Sequence, residues 1–230
     1  MAFGRRKTRT NQDAVDNVAE SSENHSEKAS TGPFDEEAHP SAEGYVDLGA
    51  IRIAAREGLQ LRLEVEESTK RVVAVTLDLN GSSLQLQAFA APKSEGLWGE
   101  IREQISESVG TQGGGVDAVD GTFGTELVAK LPVQAPDGTA GYRVARFVGV
   151  DGPRWFLRGV FGGSAAVDRE AAAGLEEVFR NIVVVRGDVP MPPRDLLPLR
   201  LPQDASGAAA AAQSPGLDEV KRGPEVTKIG

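Results

Sequence analysis

The sequence predicts an α+β fold: a single domain over residues 45–201, a mostly antiparallel sheet packed with two helices, between segments 1–44 and 202–230 that are expected to be disordered. Three observations carry this expectation. Apolar residues alternate with polar ones in several runs and recur about every 3.6 residues in two others, the signatures of strands and helices. Asn80-Gly81 and Asp151-Gly152-Pro153 separate strand-like runs with residue types that close tight turns. Both ends are rich in Ser, Glu, Asn or Ala, with too little apolar area to offset the entropy of ordering them.

Taken in order, Tyr45 to Ile53 reads as a first strand. In Leu59-Gln-Leu-Arg-Leu-Glu-Val65 the apolar residues fall on one face and Gln60, Arg62 and Glu64 on the other, the pattern of a half-buried strand. Val72 to Leu79 and Leu84 to Phe89 flank Asn80-Gly81 and should pair antiparallel. Trp98, Ile101, Ile105 and Val109 make one stripe of a helix over 97–109, which Gly110 ends. Gly113 to Gly115 reads as a flexible link to a strand at 124–131, and Asp137-Gly138 as the next turn.

Tyr142 to Val150 and Arg154 to Phe161 should form a second hairpin about Asp151-Gly-Pro153. Asp168 is placed to cap a helix reaching Arg180, with Leu175, Val178 and Phe179 turned toward the sheet. Ile182 to Arg186 is a last strand, and Pro190-Met-Pro-Pro193 should lie across the surface as an extended strap.

Composition excludes several chemistries. The net charge of −9 argues against a general nucleic-acid or anionic-membrane binder, which needs a positive field. With no cysteine there is neither a disulfide nor a thiolate ligand. The basic opening Arg5-Arg6-Lys7 is not followed by an apolar run, and no stretch of about 18 apolar residues occurs, so the expectation is a cytoplasmic protein without a membrane segment. Both histidines, His25 and His39, fall in the first polar segment, which removes His-based triads, His general bases and His zinc sites from the predicted domain. Lys70, Lys93 and Lys130 have no tuning neighbour in sequence.

Carboxylates remain. Glu66-Glu67 and Glu176-Glu177 are sequence neighbours that point to different sides, and Asp117 and Asp120, beside the glycine link, read as solvated acids before they read as metal ligands. No catalytic residue, metal or cofactor emerges, and an enzyme is disfavoured. Phe161-Gly-Gly-Ser164 stands between a strand and a helix, but its glycines fit neither G-x-G-x-x-G nor a P-loop.

The most distinctive run is Asp151-Gly-Pro-Arg-Trp-Phe-Leu-Arg-Gly-Val160. On an alternating strand Arg154, Phe156 and Arg158 share one face and Trp155 and Leu157 the other. Arg154, Trp155, Arg158, Gly162 and Gly163 are therefore the candidate ligand- or partner-binding residues, against a purely structural use as cross-strand pairs with acids. Arg143 and Arg146 would extend the basic surface only from opposite faces.

This run, with Val183-Val-Val-Arg-Gly187 and the strap Pro190 to Arg194, resembles the actinobacterial family catalogued as domain of unknown function 3710. The resemblance covers residues 45–201 and implies an actinobacterial, cytoplasmic setting, with no catalytic residues to carry over. The late hairpin-helix-strand order is also similar to the fold of the photosystem accessory protein PsbP and its relatives. Two functions follow as expectations. The first, favoured by the poverty of catalytic groups, is a non-catalytic module that docks a protein partner. The second is a binder of a small anionic metabolite or nucleotide through Arg side chains and the Gly162-Gly163 turn.

Overall fold

In the computed structural model, which describes residues 32–41, 43–134 and 138–202, two helices are spaced among strands. The described residues begin with β1 (Phe34–Asp35), β2 (Tyr45–Asp47), β3 (Ile51–Ala54), β4 (Gln60–Val65), β5 (Val72–Leu79) and β6 (Ser82–Ala90). After α1 (Trp98–Thr111) come β7 (Gly115–Gly121), β8 (Gly124–Gln134), β9 (Ala140–Gly152) and β10 (Trp155–Gly163). A 3-10 turn, Ser164–Ala166, leads to α2 (Arg169–Arg180) and β11 (Val183–Val184). The large sheet is antiparallel throughout, in the order β4-β5-β6-β10-β9-β8-β7. A small sheet, β1-β11-β3-β2, has one parallel pair, β1 with β11.

The local reasons match the sequence where turn chemistry is strong. Asn80 and Gly81 both take positive φ, 50° and 77°, the backbone of a two-residue hairpin with twisted arms. Asp168 caps α2 by accepting the Glu170 N–H at 2.8 Å, and Leu175, Val178 and Phe179 are buried beneath that helix. Along β6 every second residue from Ser82 to Ala90 is buried, so Leu84, Leu86 and Ala88 enter a core closed by α2, Ile51, Ile53 and Val184.

Several expectations need correction. Tyr45 to Ile53 is two short strands, because Asp47 accepts the Gly49 N–H at 2.7 Å and Gly49, at φ 87°, folds β3 back on β2. Between the Gly113 to Gly115 link and the strand expected from 124, where no strand is expected, Gly115 to Gly121 is the edge strand β7, paired residue for residue with β8. Its Gly and Asp content hides it, since edge strands tolerate residues that central strands reject. Within the stretch expected to be polar tail, Phe34 and Asp35 pair with Val183 and Val184, and Asp35 accepts the Trp155 indole N–H at 2.6 Å. His39 therefore belongs with the folded residues, its ring 5.4 Å from Phe34 and 5.5 Å from Tyr45. The last strand is only Val183–Val184. The expectations for residues 1–31, for Asp137 and for residues 203–230 lie outside the described residues.

The proline-led strap does more than cross the surface. β5 and β6 pair only from Val75–Leu86 to Leu79–Ser82, and beyond that they part. The strap fills the gap: Leu197 donates to the Ala88 carbonyl at 2.9 Å, Arg194 to the Ala90 carbonyl at 2.7 Å, and Leu199 bridges to Val72. Leu197 is buried in the main core.

A buried cation braces the other end of that core. The Arg146 guanidinium reaches Glu126 at 3.2 Å and Glu176 at 2.7 Å and lies 4.4 Å from the Phe161 ring centroid. Glu126 is 1% exposed, so Arg146 compensates a carboxylate that water cannot. Arg146→Met should destabilise the fold by about 3–5 kcal/mol in urea unfolding, as expected when one partner of a buried pair is removed. Adding Glu126→Gln should restore part of that loss.

Candidate functional site

Strand β10 runs down the middle of the large sheet, and its period of two sends Trp155, Leu157 and Phe161 into the main core and Phe156 and Arg158 to the opposite face. On that second face α1 lies against the sheet. Its seat is Gly149, directly across from Arg158, where an added Cβ would fall 2.3 Å from the Trp98 ring and 2.8 Å from Phe156. Only glycine lets the indole settle there, 6.0 Å from Phe156 between ring centroids, with its N–H donated to the Thr125 carbonyl at 2.8 Å. The start of the helix is held from outside it. Leu97, at the cap position, supplies no side-chain acceptor, and the Asp151 carboxylate accepts the Leu97 and Trp98 N–H groups at 2.7 and 3.3 Å. An acid at a helix N-terminus also meets the positive end of its dipole.

Beside this seat a groove of about 510 Å³ runs between α1 and the sheet. Its floor crosses four strands, from Phe89 on β6 through Arg158 on β10 and Phe147 on β9 to Leu131 on β8. Its helical wall is Leu97, Ile101, Ile105 and Val109, with Gln104, Ser108 and Gln112 at the rim, and Arg194 of the strap stands at one side. Of the described residues lining the groove, only Arg158 and Arg194 carry charge.

The two arginines differ. Arg194 reaches out of the strap at φ 73° and forms an ion pair with Glu100 in the first turn of α1. Arg158 has no carboxylate partner among the described residues. Its guanidinium donates to the neutral Gln87 amide, lies 5.6 Å from the Phe89 ring centroid, and leaves its Nε without an acceptor. Burial alone pushes the Arg158 guanidinium below its ordinary value, with no nearby acid to offset it.

The structure separates the residues singled out from sequence. Arg158 lines the groove. Arg154 does not share its face: it sits at the hairpin tip at φ 62°, exposed, because Pro153 and Arg154 form the turn that precedes β10. Trp155 is 1% exposed and committed to the main core and to Asp35. Gly162 and Gly163 pair with Ser83 and Ser82 at the far end of β10, where a Cβ on Gly163 would lie 2.5 Å from the Gly81 carbonyl oxygen. Asp117 and Asp120 lie on β7, three residues apart and so on opposite faces. Phe89, Phe147, Gln87, Arg194 and Glu100 were not singled out. The apolar stripe of α1 was the available signal for one wall, whereas nothing local in the sequence announces that its facing strands leave a gap.

The chain belongs to the family described as protein of unknown function DUF3710, whose model matches residues 32–208. That match begins ahead of β1, in keeping with the strand that Phe34 and Asp35 form. No curated protein matches the chain.

Gly149→Ala should unseat Trp98 and open the groove. The expected cost is about 1–3 kcal/mol, the range for overpacking a filled site, read by urea unfolding, with a red shift of Trp98 fluorescence in a Trp155→Phe background as the local report.

Proposed function

We propose that the domain binds a small amphipathic anion, a molecule with one acidic head and an apolar body, in the groove between α1 and the sheet, and that it does so without catalysis. The single observation that carries this reading is Arg158: a half-buried guanidinium in an apolar groove whose hydrogen-bond partner among the described residues is a neutral amide. Its planar fork matches a carboxylate or phosphate edge. The body of the ligand would lie along Leu97, Ile101, Ile105 and Phe147. The groove's volume, about 510 Å³, falls within the usual range of roughly 300–1,000 Å³ for small-molecule sites.

The absence of chemistry in the wall supports binding alone. Among the described residues no lining residue is an acid, a histidine or a lysine, so none of them can take a proton from a bound molecule at neutral pH. A protein-docking role would use exposed groups such as Arg154 at the hairpin tip. Arg158, half-buried in the floor of the groove, is better placed to meet a molecule that enters it.

The test uses decanoate and its uncharged counterpart decanol. Decanoate should raise the melting temperature, and decanol at equal concentration should not, since only a ligand that binds the folded state shifts it. Arg158→Met should weaken decanoate binding in calorimetry by about 10- to 100-fold, the worth of a charge-assisted contact. Without ligand the same variant should be more stable than the wild type by about 1 kcal/mol, because it removes a buried donor left without an acceptor. Equal binding of decanol and decanoate, or an Arg158→Met variant that binds decanoate as tightly as the wild type, would overturn the reading.

A further inference from the structure

We infer that Glu100 sets the charge of the ligand: by pairing with Arg194 it leaves the groove one uncompensated positive charge, so the site selects a monoanionic carboxylate over a dianionic phosphate ester. The inference rests on the groove being an anion site. Two cations line it, Arg158 and Arg194. Arg194 lines the same groove as Arg158, and its backbone is tied there by an N–H donated to the Ala90 carbonyl at 2.7 Å. Glu100, in the first turn of α1, forms the ion pair that occupies it. Asp151, at the same end of the helix, is already spent on the Leu97 and Trp98 N–H groups.

The charge count then decides the ligand class. A carboxylate entering against Arg158 balances one charge with one. A phosphate monoester brings two, and the second must either displace Glu100 from Arg194 or remain unbalanced against Phe89 and Phe147, where desolvation opposes it. The Arg194–Glu100 pair is half-exposed at both partners, 48% and 53%. Such pairs are individually weak, so the pair acts as a bias on the head group and contributes little to the fold.

The experiment compares decanoate with decyl phosphate at pH 8, by calorimetry, on the wild type, Glu100→Gln, Arg194→Gln and the double variant. The wild type should bind decanoate at least about 10-fold more tightly than decyl phosphate. Glu100→Gln frees Arg194, and because the attraction scales with ligand charge it should tighten decyl phosphate by about 10-fold and decanoate by only about 3-fold. The double variant should lose both gains. Arg194→Gln alone should leave decanoate affinity within about 3-fold of the wild type, since Arg194 is already engaged. Equal gains for both ligands in Glu100→Gln, or no gain for decyl phosphate, would overturn the inference while leaving the groove as an anion site. Failure of decanoate to bind the wild type would overturn the anion site itself, and this inference with it.

Discussion

The alternation of a single strand, β10, divides the molecule into two interiors. Odd and even positions of an extended chain face opposite ways, so a central strand with Trp155, Leu157 and Phe161 on one side and Phe156 and Arg158 on the other requires cover on both. The first side is closed by α2 and the small sheet. Gly159 permits this, for a Cβ there would fall 2.8 Å from the Phe179 ring. The second side has one helix for the breadth of seven strands. α1 seats over Gly149 and Phe156, and the sheet face beyond it toward β6 is left to Phe89, Gln87 and Arg158. The groove is the consequence of covering a wide sheet with one helix.

The strap couples the two sides. Because β5 and β6 diverge beyond Leu86, the backbone groups of Ala88 and Ala90 on the β5 side need other partners, and residues 194–197 supply them. The same segment buries Leu197 in the main core and places Arg194 at the groove. Completing a hydrogen-bond ladder and furnishing a cation are thus one structural event, and it starts from a turn over Pro193 and Arg194 in which Asp195 donates its N–H to the Pro192 carbonyl at 3.3 Å.

How much of this was legible in the sequence depends on how local the cause is. The Asn80-Gly81 hairpin, the Asp168 cap, the stripe of α1 and the alternation of Phe156 against Trp155 are written within a few residues of themselves, and the structure has each. β7 was hidden because an edge strand made of Gly, Val and Asp looks like a loop until its partner is known. β1 was hidden because two residues gain their strand from Val183 and Val184, distant in sequence. The site was half visible. Arg158 could be marked as unusual, but its separation from Arg154 depends on where Pro153 turns the chain, and its neighbours Phe89, Phe147 and Arg194 come from three other segments. The buried triad of Glu126, Arg146 and Glu176 is of the same non-local kind.

That triad bears on the meaning of Arg158. Both arginines sit over an aromatic ring, Arg146 over Phe161 and Arg158 over Phe89. A cation above a ring gains about 0.5–2 kcal/mol, less than the several kcal/mol that removing an ion from water costs. Arg146 makes up the difference with two carboxylates, one of them fully buried. Arg158 has a neutral amide and no carboxylate partner among the described residues, and both arginines keep an Nε without an acceptor there. If Arg158 served only to join β10 to β6, Leu or Met in its place would cover Phe89 without the penalty, as hydrophobic replacement of buried charge commonly does. The same sheet therefore contains one buried arginine paired with carboxylates of the fold and one half-buried arginine left open toward a groove. The open one makes physical sense when the missing negative charge arrives from outside the chain.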